Sequence, residues 1–369
     1  MSSKEMKTFL KRSLPLLLGV LSPMLAQADR ERPFFQASRA LGMGDAYTAY
    51  DVGYESVYYN PAGVARRNKA QAKYIDLEGT VSQGVFSVVK GTFSNLTSLG
   101  KFTQNLYANQ GKVQSLGIAL LPQFLIRNFS VGLVLRSYNE AYIDPTTANM
   151  DFFAATDAAV YVHTGVALFG GILKLGAGAK ALNRAEINRT YTQAEYSSTG
   201  VSFSSQWKEG TGYGFDAGAL LTYPSDLQPT LGVAVQDIGA TDLLERRLIW
   251  TGAAGTPGAP PSLPQKVNVG LSISSKFSRG KKAVLALELK NVLKAGTNYT
   301  ERIHAGMELE LNRILFLRAG LNEGRYWTGG LGLHAGGVGL ELTTYGENVS
   351  HDGGTRDDRK WIGRYVLAF

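Results

Sequence analysis

The sequence predicts an all-β fold, a transmembrane up-and-down antiparallel β-barrel of about 14 strands. Three observations lead there. Segments of roughly ten residues alternate apolar with small or polar side chains, the period-two signature of a strand, and that length suits a tilted membrane-crossing strand. The connections between them are long and short in turn, as in barrels with long outer loops and tight inner turns. An export signal stands at one end of the chain and an alternating segment closing on Phe369 at the other. Closure follows from the solvent: an unpaired backbone group in hydrocarbon costs several kcal/mol, so a sheet crosses only as a barrel.

The chain begins with an address. Lys4, Lys7, Lys11 and Arg12, with Glu5 among them, precede the apolar run Leu14 to Leu25, which is too short to span a bilayer. Ala26-Gln27-Ala28 supplies the small residues that signal peptidase reads, so cleavage is expected after Ala28, with no Cys following for lipid attachment. Residues 1–28 carry four basic groups and one acidic group, so their loss lowers the formal net charge from +8 to +5. Much of the basic bias, which taken alone suggests nucleic acid, is therefore targeting signal. With 44% hydrophobic and 18% charged residues the whole chain lacks the composition of disorder, and the absence of Cys excludes a disulfide scaffold or a Cys-ligated metal fold. No later apolar run is long enough for a transmembrane helix.

Candidate strands then follow at 70–78, 113–125, 129–138, 153–168, 172–184, 211–223, 229–237, 265–276, 282–290, 301–311, 313–321, 326–334, 338–346 and 359–369. Leu116, Ile118 and Leu120 oppose Ser115, Gly117 and Ala119, and Phe129, Val131, Leu133 and Leu135 oppose Ser130, Gly132 and Arg136. Tyr213, Phe215, Ala217, Ala219, Leu221 and Tyr223 oppose Gly212, Gly214, Asp216, Gly218 and Thr222. Val267, Val269, Leu271 and Ile273 oppose Lys266, Asn268, Gly270 and Ser272, and Ile303, Ala305, Met307, Leu309 and Leu311 oppose Arg302, His304, Glu308 and Glu310. Short connections at 127–128, 169–171, 224–228, 278–280, 312 and 335–337 alternate with 79–112, 139–152, 185–210, 238–264, 291–300, a brief 322–325 and 347–358. Tyr74, Tyr138, Phe153, Trp207, Tyr223, Trp250, Tyr326, Trp327, Tyr345 and Trp361 lie near strand ends, where aromatic girdles are expected. The last strand, with Trp361, Tyr365, Leu367 and Phe369, looks like the C-terminal signal by which insertion machinery recognises outer-membrane barrels.

Residues 29–69 do not alternate. They carry Ala40-Leu41-Gly42-Met43-Gly44-Asp45-Ala46-Tyr47-Thr48-Ala49 and Glu55-Ser56-Val57-Tyr58-Tyr59-Asn60-Pro61-Ala62-Gly63. The pairing resembles the Gly-rich and Tyr-Tyr-Asn-Pro-Ala-Gly segments near the mature N-terminus of the FadL superfamily, including its PorV-like and UPF0164-type branches. Leu231 to Gly239, ending Gln236-Asp237-Ile238-Gly239, and Leu263-Pro264 also look like the PorV-type branch. The resemblance implies a fourteen-stranded barrel over 70–369 whose N-terminal segment, 29–69, folds inside the lumen as a hatch. Gly42, Gly44, Asp45, Asn60, Pro61 and Gly63 are then the hatch motif: the two Gly residues allow close backbone packing and the Asn-Pro-Ala-Gly stretch reverses the chain. Asp45, Asp51 and Glu55 are expected to meet inward-facing basic groups such as Lys174, Lys180, Arg302, Arg318 or Arg364.

Chemistry is sparse elsewhere. His163, His304, His334 and His351 show no metal-ligand spacing, no Gly-x-Ser-x-Gly elbow occurs, and Gly210, Gly212, Gly214 and Gly218 lie in a strand with no following helix to hold a nucleotide. No catalysis, cofactor or metal is expected. Arg66-Arg67-Asn68-Lys69 and Lys281-Lys282 flank strand ends, where lipid head groups or solvent are the ordinary partners. The FadL resemblance implies passive uptake of small hydrophobic molecules, fatty acids or detergent-like compounds, across the outer membrane. Phe86, Val89, Phe93, Leu96 and Phe102 in one long loop, and Leu248 and Trp250 in another, are candidates for a hydrophobic capture surface. The PorV-like alternative is a barrel that binds partner proteins in secretion or surface attachment.

Overall fold

A computed structural model describes residues 34–50, 54–65, 70–85, 108–197, 203–252, 255–278, 280–294, 298–350 and 355–369. The expected signal peptide, Asp51, and Phe86, Val89, Phe93, Leu96 and Phe102 lie outside the described residues.

Among the described residues fourteen antiparallel strands close into one barrel. They are β1 (Gln71–Ser82), β2 (Gln114–Leu120, resuming at Gln123–Ile126), β3 (Phe129–Ile143), β4 (Met150–Leu168), β5 (Leu173–Tyr191), β6 (Lys208–Thr222) and β7 (Thr230–Gln236). The circuit continues with β8 (Lys266–Ser278), β9 (Lys281–Leu289), β10 (Ile303–Leu311), β11 (Leu315–Asn322), β12 (Tyr326–Ala335), β13 (Val338–Asn348) and β14 (Asp357–Ala368). Each strand pairs with its neighbour in sequence, and β14 returns to β1 in a register that sets Gly79 opposite Gly363 and Leu77 opposite Tyr365. Phe369 completes the seam, exchanging backbone hydrogen bonds with Ala72 at 2.9 and 3.0 Å. Among the described residues the circuit closes with no end strand left open, a two-residue strand, Leu244–Glu245, pairing off it with β6, and no described helix is long and apolar enough to cross a membrane.

The alternation translates directly into an inside and an outside. Leu116, Ile118, Phe215, Leu271, Leu285, Leu287, Leu340 and Leu342 face outward and exposed. Their neighbours Glu78, Asp157, Lys180, Arg184, Glu308, Arg318, Glu341 and Arg364 face inward and are buried. Apolar side chains outside and charged ones inside invert the soluble pattern, as a lipid-facing barrel requires. At the short-turn end, Asn128, Asn312 and Gly336 take positive φ of 64°, 55° and 57°, the backbone that tight reversals demand.

Three features depart from the expected plan. The strands on one side run further outward than their alternation suggested: β4 and β5 have nineteen residues each, roughly 60 Å of chain, against seven in β7. The expected continuous strand 113–125 is interrupted at Leu121-Pro122, because Pro122 has no N–H to donate, and on its other side β1 carries a bulge between Lys73 and Ile75 in its pairing with β14. The expected girdle divides as well. Tyr74, Tyr223, Trp250 and Trp327 are exposed, but Phe153, Tyr326 and Tyr345 are buried and Tyr138 lines an internal cavity. Proximity to a strand end does not fix the face; register does.

Candidate functional site

The lumen is occupied by residues 34–50 and 54–65, and the inward side chains account for how they are held. A short helix, Ser38–Gly42, turns at Met43 into Gly44, whose φ of +64° carries the chain against the wall. There the approach is too close for side chains on either partner. A Cβ on Gly44 would stand 2.3 Å from the Ala305 carbonyl oxygen, and one on Gly306 would stand 2.0 Å from that of Met43. Asn60 caps the turn Pro61–Val64 through its Oδ1, which accepts from the Ala62 N–H at 3.0 Å, while its Nδ2 donates to the Thr48 and Ala219 carbonyls. Gly63 packs against Ser56, and Pro61 lies over Gly176.

Wall carboxylates collect the segment's donors. Glu288 accepts from the backbone N–H groups of Tyr47 and Thr48 at 2.7 and 2.8 Å and from the Thr48 hydroxyl. Glu308 accepts from Arg39 Nε at 2.8 Å and from the Tyr50 hydroxyl. Glu341 accepts from the Ser38 hydroxyl at 2.8 Å. The pairs continue as a chain across the lumen: Arg318 joins Glu308 to Glu341, and Arg364 joins Glu341 to Asp76 and to Glu55 of the segment, the last at 2.7 Å. Removing one member of a buried ion pair strands the other, at a cost of about 3–5 kcal/mol.

Of the expected acid partners, Glu55 meets Arg364, one of the basic groups singled out. Asp45 pairs instead with Lys290, and accepts from the Tyr59 hydroxyl at 2.7 Å and Gln36 at 2.9 Å. Burial opposes ionisation of Asp45, but Lys290 and His304 beside it outweigh burial and leave its carboxyl below the usual range. Lys180 is engaged by Asp216 and Asp237, and Arg318 by wall carboxylates. His304 Nδ1 lies 2.9 Å from the Gly44 carbonyl oxygen and His334 Nε2 3.0 Å from Glu341, so both point inward, as polar wall residues.

One patch of the lumen is apolar, set beside the buried charges Arg136, Asp157, Lys180 and Arg184 of the same strands. Leu121 and Leu125 of β2, Val134 of β3, Ala159 and Tyr161 of β4 and Leu182 of β5 pack with Val57 and Val64 of the segment, flanked by Phe34, Phe35 and Tyr58. Above this cluster lies a cavity of about 90 Å³, lined by Phe35, Leu41, Ala119, Phe153, Tyr345 and Ile362 together with Glu78, Arg136, Glu140, Glu347 and Lys360. A second space of about 260 Å³, bounded by Tyr142, Asp151, Asn188, Thr190 and Arg356, shares Glu140 and Phe153 with it and forms a polar vestibule. Neither space was legible beforehand, since both combine residues of distant strands.

The remaining candidates lie apart. Leu248 and Trp250 are exposed on a loop gripped by Glu209, which accepts from the N–H groups of Leu248, Ile249 and Thr251 at 2.8 to 3.0 Å. Trp361, Tyr365, Leu367 and Phe369 lie along the barrel seam, where Phe369 packs 6.1 Å from Tyr74 between ring centres.

No protein-family model matches the chain, and no curated protein matches it. Solved structures do. The Ralstonia pickettii toluene transporter TbuX aligns with a TM-score of 0.52 at 13% identity, covering 92% of this chain and 99% of that one. The CymD monoaromatic hydrocarbon channel gives 0.52 at 12% identity over 92% and 98%, and the P. putida toluene transporter TodX 0.50 at 12% identity over 91% and 98%. The likeness is one of fold, and it extends over nearly the whole of each barrel.

Proposed function

We propose that this chain is an outer-membrane channel for passive uptake of small hydrophobic molecules, with the N-terminal segment as its hatch. The observation that carries the reading is an apolar cluster inside the lumen, set among charged wall residues and reaching from Phe35 at the cavity to Leu121 and Leu125. A hydrophobic molecule gains about 25 cal/mol per Å² of apolar surface it takes from water, so such a patch favours its entry. The fold shared with toluene and monoaromatic hydrocarbon channels supports the same reading.

The cavity of about 90 Å³ is smaller than the roughly 150 Å³ space that holds a benzene ring, so passage requires the segment to shift. A route to the membrane is suggested where β2 breaks at Leu121-Pro122, beside the apolar cluster. The test is uptake of labelled toluene by Gram-negative cells that lack other hydrocarbon channels. Expression of this chain is expected to raise the initial rate at least fivefold; a rate equal to that of the empty vector would overturn the proposal.

A second reading, a platform for partner proteins, draws on the exposed Leu248, Ile249 and Trp250, from whose N–H groups Glu209 accepts, with Leu244 exposed on the same loop. An empty lumen in the purified protein, together with a stoichiometric protein bound through that loop, would favour it over the channel.

A further inference from the structure

We infer that the lumenal cavity, widened by the same shift of the segment that passage requires, selects hydrophobic molecules bearing a protonated amine over isosteric carboxylates and plain hydrocarbons, an inference that rests on the channel reading and names its ligand class. The ground is an excess of carboxylates whose matching cations are already engaged. Glu78, Glu140 and Glu347 line the cavity, and its two cationic residues are Lys360 and Arg136. Arg136 is bonded to Asp157 through Nε and a terminal nitrogen at 3.1 and 2.7 Å. Lys360 is paired with Glu347, donates to the Tyr138 hydroxyl at 2.7 Å, and lies 3.6 Å from both Glu140 and Asp358. One ammonium thus stands among three carboxylates.

Glu78 supplies the independent observation. It is only 5% exposed, and its Oε2 has no hydrogen-bond partner. Its nearest cation, Arg364 Nε at 4.0 Å, already donates to Asp76 at 2.7 Å. A buried carboxyl oxygen without a partner is a standing cost that a ligand N–H can relieve. The surrounding surface suits the rest of such a molecule: Phe35, Leu41, Phe153 and Tyr345 offer apolar and aromatic faces, and aromatic faces also attract a cation. Glu140 belongs to cavity and vestibule alike, so an amine arriving from outside meets it first. An incoming carboxylate would meet Glu78, Glu140 and Glu347 and find Lys360 and Arg136 taken.

The test is calorimetric titration of the full barrel in neutral detergent at pH 7, corrected for empty micelles, with 2-phenylethylamine, 3-phenylpropionate and ethylbenzene. The amine is expected to bind at least tenfold more tightly than either of the others. Glu78→Gln and Glu140→Gln, each checked for retained heat-modifiable mobility on gels, are expected to weaken amine binding at least fivefold and leave ethylbenzene unchanged. Equal affinities, a preference for the carboxylate, or variants that bind the amine as wild type does would overturn the inference. If ethylbenzene binds without any amine preference, the channel reading survives and this inference fails; if none of the three binds, both fail. Should the variants not fold, the wild-type ligand series decides alone.

Discussion

Asp45 sits at a φ of 63° with three donors converging on its carboxylate, from Lys290, Tyr59 and Gln36. Its carboxyl titrates below the ordinary value, so it binds its proton less readily folded than unfolded. The stability it contributes is therefore complete above the unfolded value, near 4, and is lost as pH falls through the lower folded value. Asp45→Asn is expected to make residues 34–65 more accessible to protease at pH 7, with the difference from wild type shrinking below about pH 4. A difference constant from pH 7 to pH 3 would show that the ion pair does not hold the segment. Single residues were partly legible in the sequence. Glu55 finds Arg364 as expected, whereas Lys290 was not foreseen for Asp45, because only the placement of the segment in the lumen selects among many inward cations. The wall glycines Gly306 and Gly320 were not singled out in the sequence, and their purpose appears only with the Met43-Gly44 backbone lying on them.

Strands were the most legible elements, since alternation over ten residues survives uncertainty at each end. What alternation does not carry is an interruption that keeps its period. Leu121 and Leu125 both face inward across the break in β2, so the apolar pattern continues although the ladder does not. The signal was Pro122 itself, which cannot donate within a sheet. Around it Leu121 donates to Asp76 at 2.9 Å and Pro122 accepts from Leu133 at 3.0 Å, so the strand is pinned on both sides of the missing donor. Pro122→Val restores an N–H at this position, worth about 1 kcal/mol if it finds an acceptor. The expected outcome is a higher temperature for loss of heat-modifiable mobility and toluene uptake slowed several-fold. Unchanged uptake would place the exit elsewhere in the wall.

At the scale of the molecule, the inverted barrel explains a composition that is neither strongly apolar nor strongly charged. Apolar lipid-facing residues are averaged with charged lumenal ones, and glycine serves where backbone meets backbone. The barrel was readable because lipid imposes closure, strand length and alternation together. The apolar patch within the lumen was not, because it depends on which inward residues of fourteen strands share a height. The small volume of the cavity beside it leads to the central proposal, that hydrophobic molecules pass only when the N-terminal segment yields. The chain has no native cysteine, so a pair introduced as Ser38→Cys and Thr343→Cys, where the Thr343 hydroxyl donates to the Ser38 carbonyl at 3.1 Å, can tie the segment to β13 as the sole cross-link. Toluene uptake by cells carrying this variant, measured oxidised and again after reduction, is the most direct test. Uptake abolished by the cross-link and restored by reductant is the expected result; uptake at the wild-type rate with the segment locked in place would contradict it.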